Sequence, residues 1–90
     1  MLIEFDFGKR HRTLAQCGLD FVRAVEVFDA PSVDVIDARF DYGEQRIFTF
    51  GKLDGRCVVV VWTQRGKARR IISMRYANAR EVAKYAARVG

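Results

Sequence analysis

Cysteine, histidine and proline are all scarce in this 90-residue chain, which has two Cys, one His and one Pro. Two thiols, Cys17 and Cys57, are too few for a disulfide framework and lack metal-ligand spacing. The lone histidine, His11, with scattered acids does not make a ligand set, so no metal and no other cofactor is expected. One proline in a chain that is 50% hydrophobic argues for a folded protein rather than a disordered one. Long apolar runs are missing too. The longest, Cys57–Trp62, is far short of a membrane span. The N-terminal stretch "MLIEFDFGKR" places acids where a secretory signal would carry bases. One cytoplasmic domain over residues 1–90 is the expectation.

Positive charge is plentiful, and it is unevenly placed. The formal net charge is +5. Residues 1–44 carry five Lys/Arg and nine Asp/Glu, a balance of −4, whereas residues 45–90 carry eleven and two, a balance of +9. So lopsided a half fits a polyanion-binding face as well as it fits a solvated basic surface.

Local patterns outline the elements. "LIEFDF" alternates as a short strand would, with Ile3, Phe5 and Phe7 on one face. Helix formers run from Lys9 to Gln16, with Gly18 as the stop. Asp20 caps a second helix carrying Phe21, Ala24, Val25 and Phe28, which Pro31 ends. "SVDVID" reads as an edge strand. "QRIFTFG" and "CVVVVWT" flank Asp54-Gly55 as a hairpin, and Gly66 turns the chain into "ARRIISMRY". The valine run looks like a central strand covered on both faces. Asn78 and Glu81 stand at capping-box spacing before a last helix with Val82, Tyr85, Ala86 and Val89 as its apolar stripe. These elements predict an α+β domain, an antiparallel β-sheet with two N-terminal helices and one C-terminal helix.

Strict alternation in the last strand puts Arg69, Ile71, Ser73 and Arg75 on one face and Arg70, Ile72, Met74 and Tyr76 on the other. An unpaired guanidinium in the core is costly, so arginines near it need a rim position or an acid; Asp34, Asp37, Asp41 and Glu44 are available. A guanidinium fork also matches phosphate oxygens. Arg75 at the strand end and Arg80 in the first helical turn are placed to converge on one anion, where the helix N-terminus favours negative charge.

At these residues the chain resembles the BrnT family of type II toxins, which implies a RelE-like ribonuclease fold. The matching blocks are Asp6 with Lys9, Gly18 with Phe21 and Val27-Phe28-Asp29, and Glu44 with Arg46. They continue with Val58–Val61 and Thr63, then Arg70 through Arg75 with Ala77, Glu81 and Tyr85. The resemblance implies a toxin that cleaves RNA and halts translation. It also implies a BrnA-like antitoxin with a ribbon-helix-helix domain, which alone would bring the complex to promoter DNA. One departure stands out: where the family carries Lys-His before the glycine, this chain has Gln16 and Cys17.

Metal-free cleavage would then draw on Lys9, Arg46, Arg75 and Arg80 for positioning and charge stabilisation, with Arg70 as a further RNA-binding group. Glu44 is the candidate acceptor of the 2′-proton, or else an ion-pair partner of Arg46 or Arg70. Tyr76 and Trp62 are candidate stacking platforms for a base, or else core aromatics. The alternative function is a catalytically decayed relative that binds antitoxin or RNA without cutting. No membrane association is expected.

Overall fold

Asp6 closes the first strand and opens the first helix: its carboxylate accepts a hydrogen bond from the Gly8 amide at 2.8 Å, an N-cap. In the computed structural model, which describes residues 1–39, 41 and 43–90, β1 spans Leu2–Phe5 and α1 spans Phe7–Cys17. Phe7 therefore leaves the strand expected for it and stands exposed on the helix. Gly18 ends α1 with φ 73°, its amide donating to the Leu14 carbonyl at 3.0 Å, the left-handed stop that a glycine supplies. A 3-10 turn, Phe21–Arg23, leads into α2, Ala24–Asp29. The strands follow as β2 Val33–Asp37, β3 Arg46–Leu53, β4 Arg56–Arg65 and β5 Ala68–Tyr76, before α3, Ala79–Tyr85, and a short 3-10 turn, Ala86–Arg88.

The sheet order is β1-β5-β4-β3-β2. The four later strands pair antiparallel, in keeping with the hairpins expected at Asp54-Gly55 and Gly66. The first pairs parallel to β5, Ile3 opposite Arg69 and Phe5 opposite Ile71. The sheet is thus mixed, where an antiparallel one was expected. Having left the sheet's edge, the chain returns through two helices and the rest of the sheet before β5 arrives beside it.

Two cores lie on the two faces. On the first face, α1 and α2 cover Val58, Val60, Trp62, Ile71 and Met74, with Phe21, Ala24 and Val27 reaching down from the helical segment. On the second face, Val33, Phe50, Val59 and Val61 meet Val89 and the side of Tyr85 from the C-terminal helix and turn. This double coverage accounts for the unbroken valine run of β4, since every alternate residue finds an apolar neighbour on one side or the other. Gly51 marks where α2 comes closest: a Cβ there would sit 2.8 Å from Val27 Cγ1. Arg23 ties α2 to the β3–β4 turn, holding Glu26 and Asp54 at 2.7 Å each.

One irregularity decides where charge goes. Val61 is opposite Ser73 and Trp62 opposite Ile71, so Ile72 is an extra residue in β5, a β-bulge. The bulge resets the pleat. Ile71, Met74 and Tyr76 belong to the first-face core, whereas Ile72 packs with the second. Arg70 pairs with Thr63 and Arg75 with Val59, which places both arginines on the second face. Strict alternation had separated them.

Candidate functional site

Position on the sheet assembles a basic surface from segments far apart in sequence. On the second face, Arg46 pairs with Asp37 across β2–β3, and Arg70 pairs with Glu4 and Thr63 across its own two neighbours. Arg75 lies two rows along β5 from this line, toward α3. That helix and its following turn roof only one end of the face, over Phe50 and Val59. Among the described residues no helix covers the other end.

Arg46 and Arg75 line a common cavity of about 340 Å³ at this end, together with Asp37, Arg39, Phe48 and Ser73. Two of the candidate arginines thus share a cavity, but the convergence expected of Arg75 with Arg80 is not found there, because α3 turns Arg80 into a neighbouring cleft; Arg39 lines the cavity without having been foreseen. Its signal in the sequence is faint: it follows an acidic edge strand and pairs back to Asp37, Nε to Oδ1 at 3.0 Å. The Arg39 guanidinium carbon lies 5.3 Å from the centre of the Phe48 ring, a cation–π contact.

Arg75 is oriented by an acid from the next element. Its Nη1 donates to Glu81 Oε1 at 2.7 Å and its Nη2 to Oε2 at 2.9 Å. Glu81 is also the third residue of the capping box, accepting from the Asn78 amide while its own amide donates to Asn78 Oδ1. The Arg75 hydrogen bonds, then the Asn78 amide, hold the Glu81 carboxyl below the usual carboxylate range, and Glu81 raises Arg75 further. A guanidinium has five N–H donors, so this fork leaves others for a ligand.

Glu44 stands beside Arg46, 3.9 Å from its Nε, and 3.7 Å from Arg65 Nη2. These are loose ion pairs, too long for hydrogen bonds. Arg70 and Arg80 form no ion pair among the described residues. Arg80 does not line the Arg46–Arg75 cavity; it lines a neighbouring cleft under α3, which shares Phe48 as a wall.

Three expected site residues lie elsewhere. Lys9 is exposed on α1 and lines neither cavity. Trp62 faces the helices, 4% exposed, edge-on to Phe28, with Nε1 donating to Thr49 Oγ1 at 2.7 Å. The Arg69 guanidinium caps its ring at 4.1 Å, so no ring face is left for a base. Tyr76 also points to the first face, packed against the core with Arg56 3.8 Å over its ring. The physical reason is the same for both: bulge and pairing assign their strand positions to the helix-covered side. Gln16 and Cys17 close α1 on that side as well, Cys17 Sγ lying 3.2 Å from the Thr13 carbonyl.

Among the described residues, no three His, Cys, Asp or Glu side chains form a group able to hold a metal. No helix among them is long and apolar enough to cross a membrane.

These features define a class: a small α+β protein with α1 and α2 on one sheet face, and α3 beside an arginine-lined cavity on the other. Residues 5–81 match the model of the family described as ribonuclease toxin, BrnT, of type II toxin-antitoxin system, and the chain belongs to that family. Membership carries with it an antitoxin as partner. Comparison with curated proteins gave no match.

Proposed function

We propose that this chain is a toxin that cleaves RNA without a metal ion and thereby stops translation. The observation that carries the reading is the cavity shared by Arg46 and Arg75, in a chain of a ribonuclease-toxin family. In the proposed reaction the 2′-oxygen attacks the adjacent phosphorus, the 5′-oxygen leaves, and a 2′,3′-cyclic phosphate forms. Arg46 and Arg75 bind the phosphate oxygens and stabilise the extra charge that builds on them in the transition state. Glu44 accepts the 2′-proton, and water returns one to the departing 5′-oxygen. Arg70, one stretch along the same face, binds the flanking backbone. Lys9 falls outside this arrangement.

The antitoxin is proposed to be a BrnA-like ribbon-helix-helix protein that lays an acidic segment over the same arginines. Covering phosphate-binding groups with carboxylates is a direct route to inhibition.

The test is cleavage of RNA by the purified chain in excess chelator, with Arg75→Ala as the variant. Cleavage that persists in chelator and falls about 10²–10³-fold in the variant is expected. Full activity of Arg75→Ala would remove the central residue. A wild-type chain that neither cleaves RNA nor arrests growth when expressed without its antitoxin would leave a binding protein, which the replacement of Lys-His by Gln16 and Cys17 also fits.

A further inference from the structure

Beside the arginine cavity lies a second cavity of different chemistry. It is a cleft of about 300 Å³ between α3 and the β2–β4 surface. Its floor and walls are apolar, from Val35, Phe48, Phe50 and Tyr85, and two cations, Arg80 and Lys84, stand at its rim. The Phe50 and Tyr85 rings are 5.6 Å apart and tilted by 48°, leaving them splayed rather than stacked. Lys84 Nζ lies 5.4 Å from the centre of the Tyr85 ring.

The two cavities are neighbours through two shared parts. Phe48 lines both. Arg75 lines one, and its partner Glu81 lines the other, so the doubly hydrogen-bonded pair forms the partition. An anion site walled off by one aromatic side chain from an apolar cleft with a cationic rim has the layout of a nucleotide: phosphate on one side, base on the other.

We propose that the cleft under α3 is a nucleobase subsite, taking the base of a nucleotide next to the phosphate bound by Arg46 and Arg75. This rests on the cleavage reading above and adds to it the group that seats the substrate. The base lies against Phe48 and Tyr85, and Arg80 and Lys84 bind the next phosphate along the strand. Such a seat reads a π face rather than a particular base edge, so any base is accepted. The expected role of Arg80 changes accordingly, from a partner of Arg75 on one phosphate to a contact for the following one.

The experiment uses an RNA oligonucleotide whose cleavage position has been mapped, resynthesised with an abasic ribose on either side of the cut. One of the two abasic substrates should lose about 5- to 150-fold in kcat/KM, the equivalent of about 1–3 kcal/mol of stacking. With Phe48→Leu the parent substrate should lose most of that factor and the abasic one little more. Equal cleavage of parent and abasic substrates by the active wild-type chain would overturn the subsite while leaving the cleavage reading intact. So would a base effect that Phe48→Leu and Lys84→Ala both leave unchanged. If no RNA is cut, the cleavage reading fails first; the oligonucleotides are then compared by binding, where equal affinities overturn the subsite as well. Burial of Lys84 and Tyr85 by the antitoxin, with no base dependence in either assay, would assign the cleft to the protein partner and overturn the proposal.

Discussion

Arg75 and Glu81 face each other across the junction of β5 and α3, joined by two hydrogen bonds of 2.7 and 2.9 Å. One carboxylate therefore does two things: it completes the cap of α3 and fixes the guanidinium that lines the arginine cavity. The pair explains why a strand end and a helix start share charged groups here. The acid holds the cation in one orientation without removing it from the cavity.

Glu81→Gln separates the two roles, because glutamine still suits the third position of a capping box but carries no charge. The variant should lose about 1 kcal/mol or less of stability, since Arg75 is partly exposed, and a larger share of its cleavage rate. Thermal melts and kcat/KM, measured side by side, check this. The pH dependence has a definite sign. Glu81 has a folded-state value below its unfolded one, so its contribution is full above the unfolded carboxylate pKa of about 4.3 and is lost as pH falls through the folded one. Asp20, held down by Arg10, acts in the same direction. Melting temperature should therefore fall on acidification below about pH 4.5, less steeply in Glu81→Gln. An identical slope in both proteins would contradict the assignment.

The contrast between Arg46 and Lys9 tests the placement of the site. Arg46 lines the cavity; Lys9 is exposed on α1 and lines neither cavity. Arg46→Ala should lower kcat/KM for RNA about 10²–10³-fold, with a much smaller loss for Lys9→Ala. Comparable losses from the two would move the reaction away from the sheet face.

Much of the fold was legible because its signals are local. Asp54-Gly55, Gly66 and the Asn78–Glu81 box each mark a turn or a cap within a few residues, and the valine run announced a strand covered twice. The parallel pairing of β1 left no such mark, since its partner lies at the far end of the chain. Ile72 is the more instructive miss. Apolar residues at 71, 72 and 74 break alternation, yet a bulge is visible only once β4 is set beside β5. That single extra residue unites Arg70 with Arg75 and turns Tyr76 toward the core. Arg46 and Arg75 were legible as candidates by chemistry; their meeting was a matter of sheet order.

A polar chain running from the core to the surface gives a prediction on stability. Trp62 Nε1 donates to Thr49 Oγ1 at 2.7 Å, and that hydroxyl donates to Asp34 Oδ1 at 2.7 Å. Thr49 is fully buried. Thr49→Val keeps the shape and strands the indole N–H, which costs about 1–3 kcal/mol. At about 4–8 °C per kcal/mol for a domain of this size, the melting temperature should drop clearly, with a shift in Trp62 emission. An unchanged melt would show that the indole finds another acceptor.

Salt dependence distinguishes the two sheet faces. RNA with one phosphate on Arg46 and Arg75, a flanking one on Arg70 and the next on Arg80 and Lys84 releases counterions from about three phosphates, so log K should fall against log salt with a slope near −2, at about −0.7 per phosphate on single strands. An oligonucleotide with a 2′-deoxy block at the cut allows equilibrium binding to be measured. Arg70→Ala should reduce the slope by about 0.7 while retaining binding, because Arg70 lies on the second face and, although opposite Glu4 in the sheet, forms no ion pair among the described residues. Arg56 is the matched control: equally charged, but stacked 3.8 Å over Tyr76 on the first face. Arg56→Ala should leave the slope close to the parent value. Were Arg56→Ala to flatten it as much as Arg70→Ala does, the binding would belong to the net charge of the C-terminal half and not to the arginines gathered by the bulge.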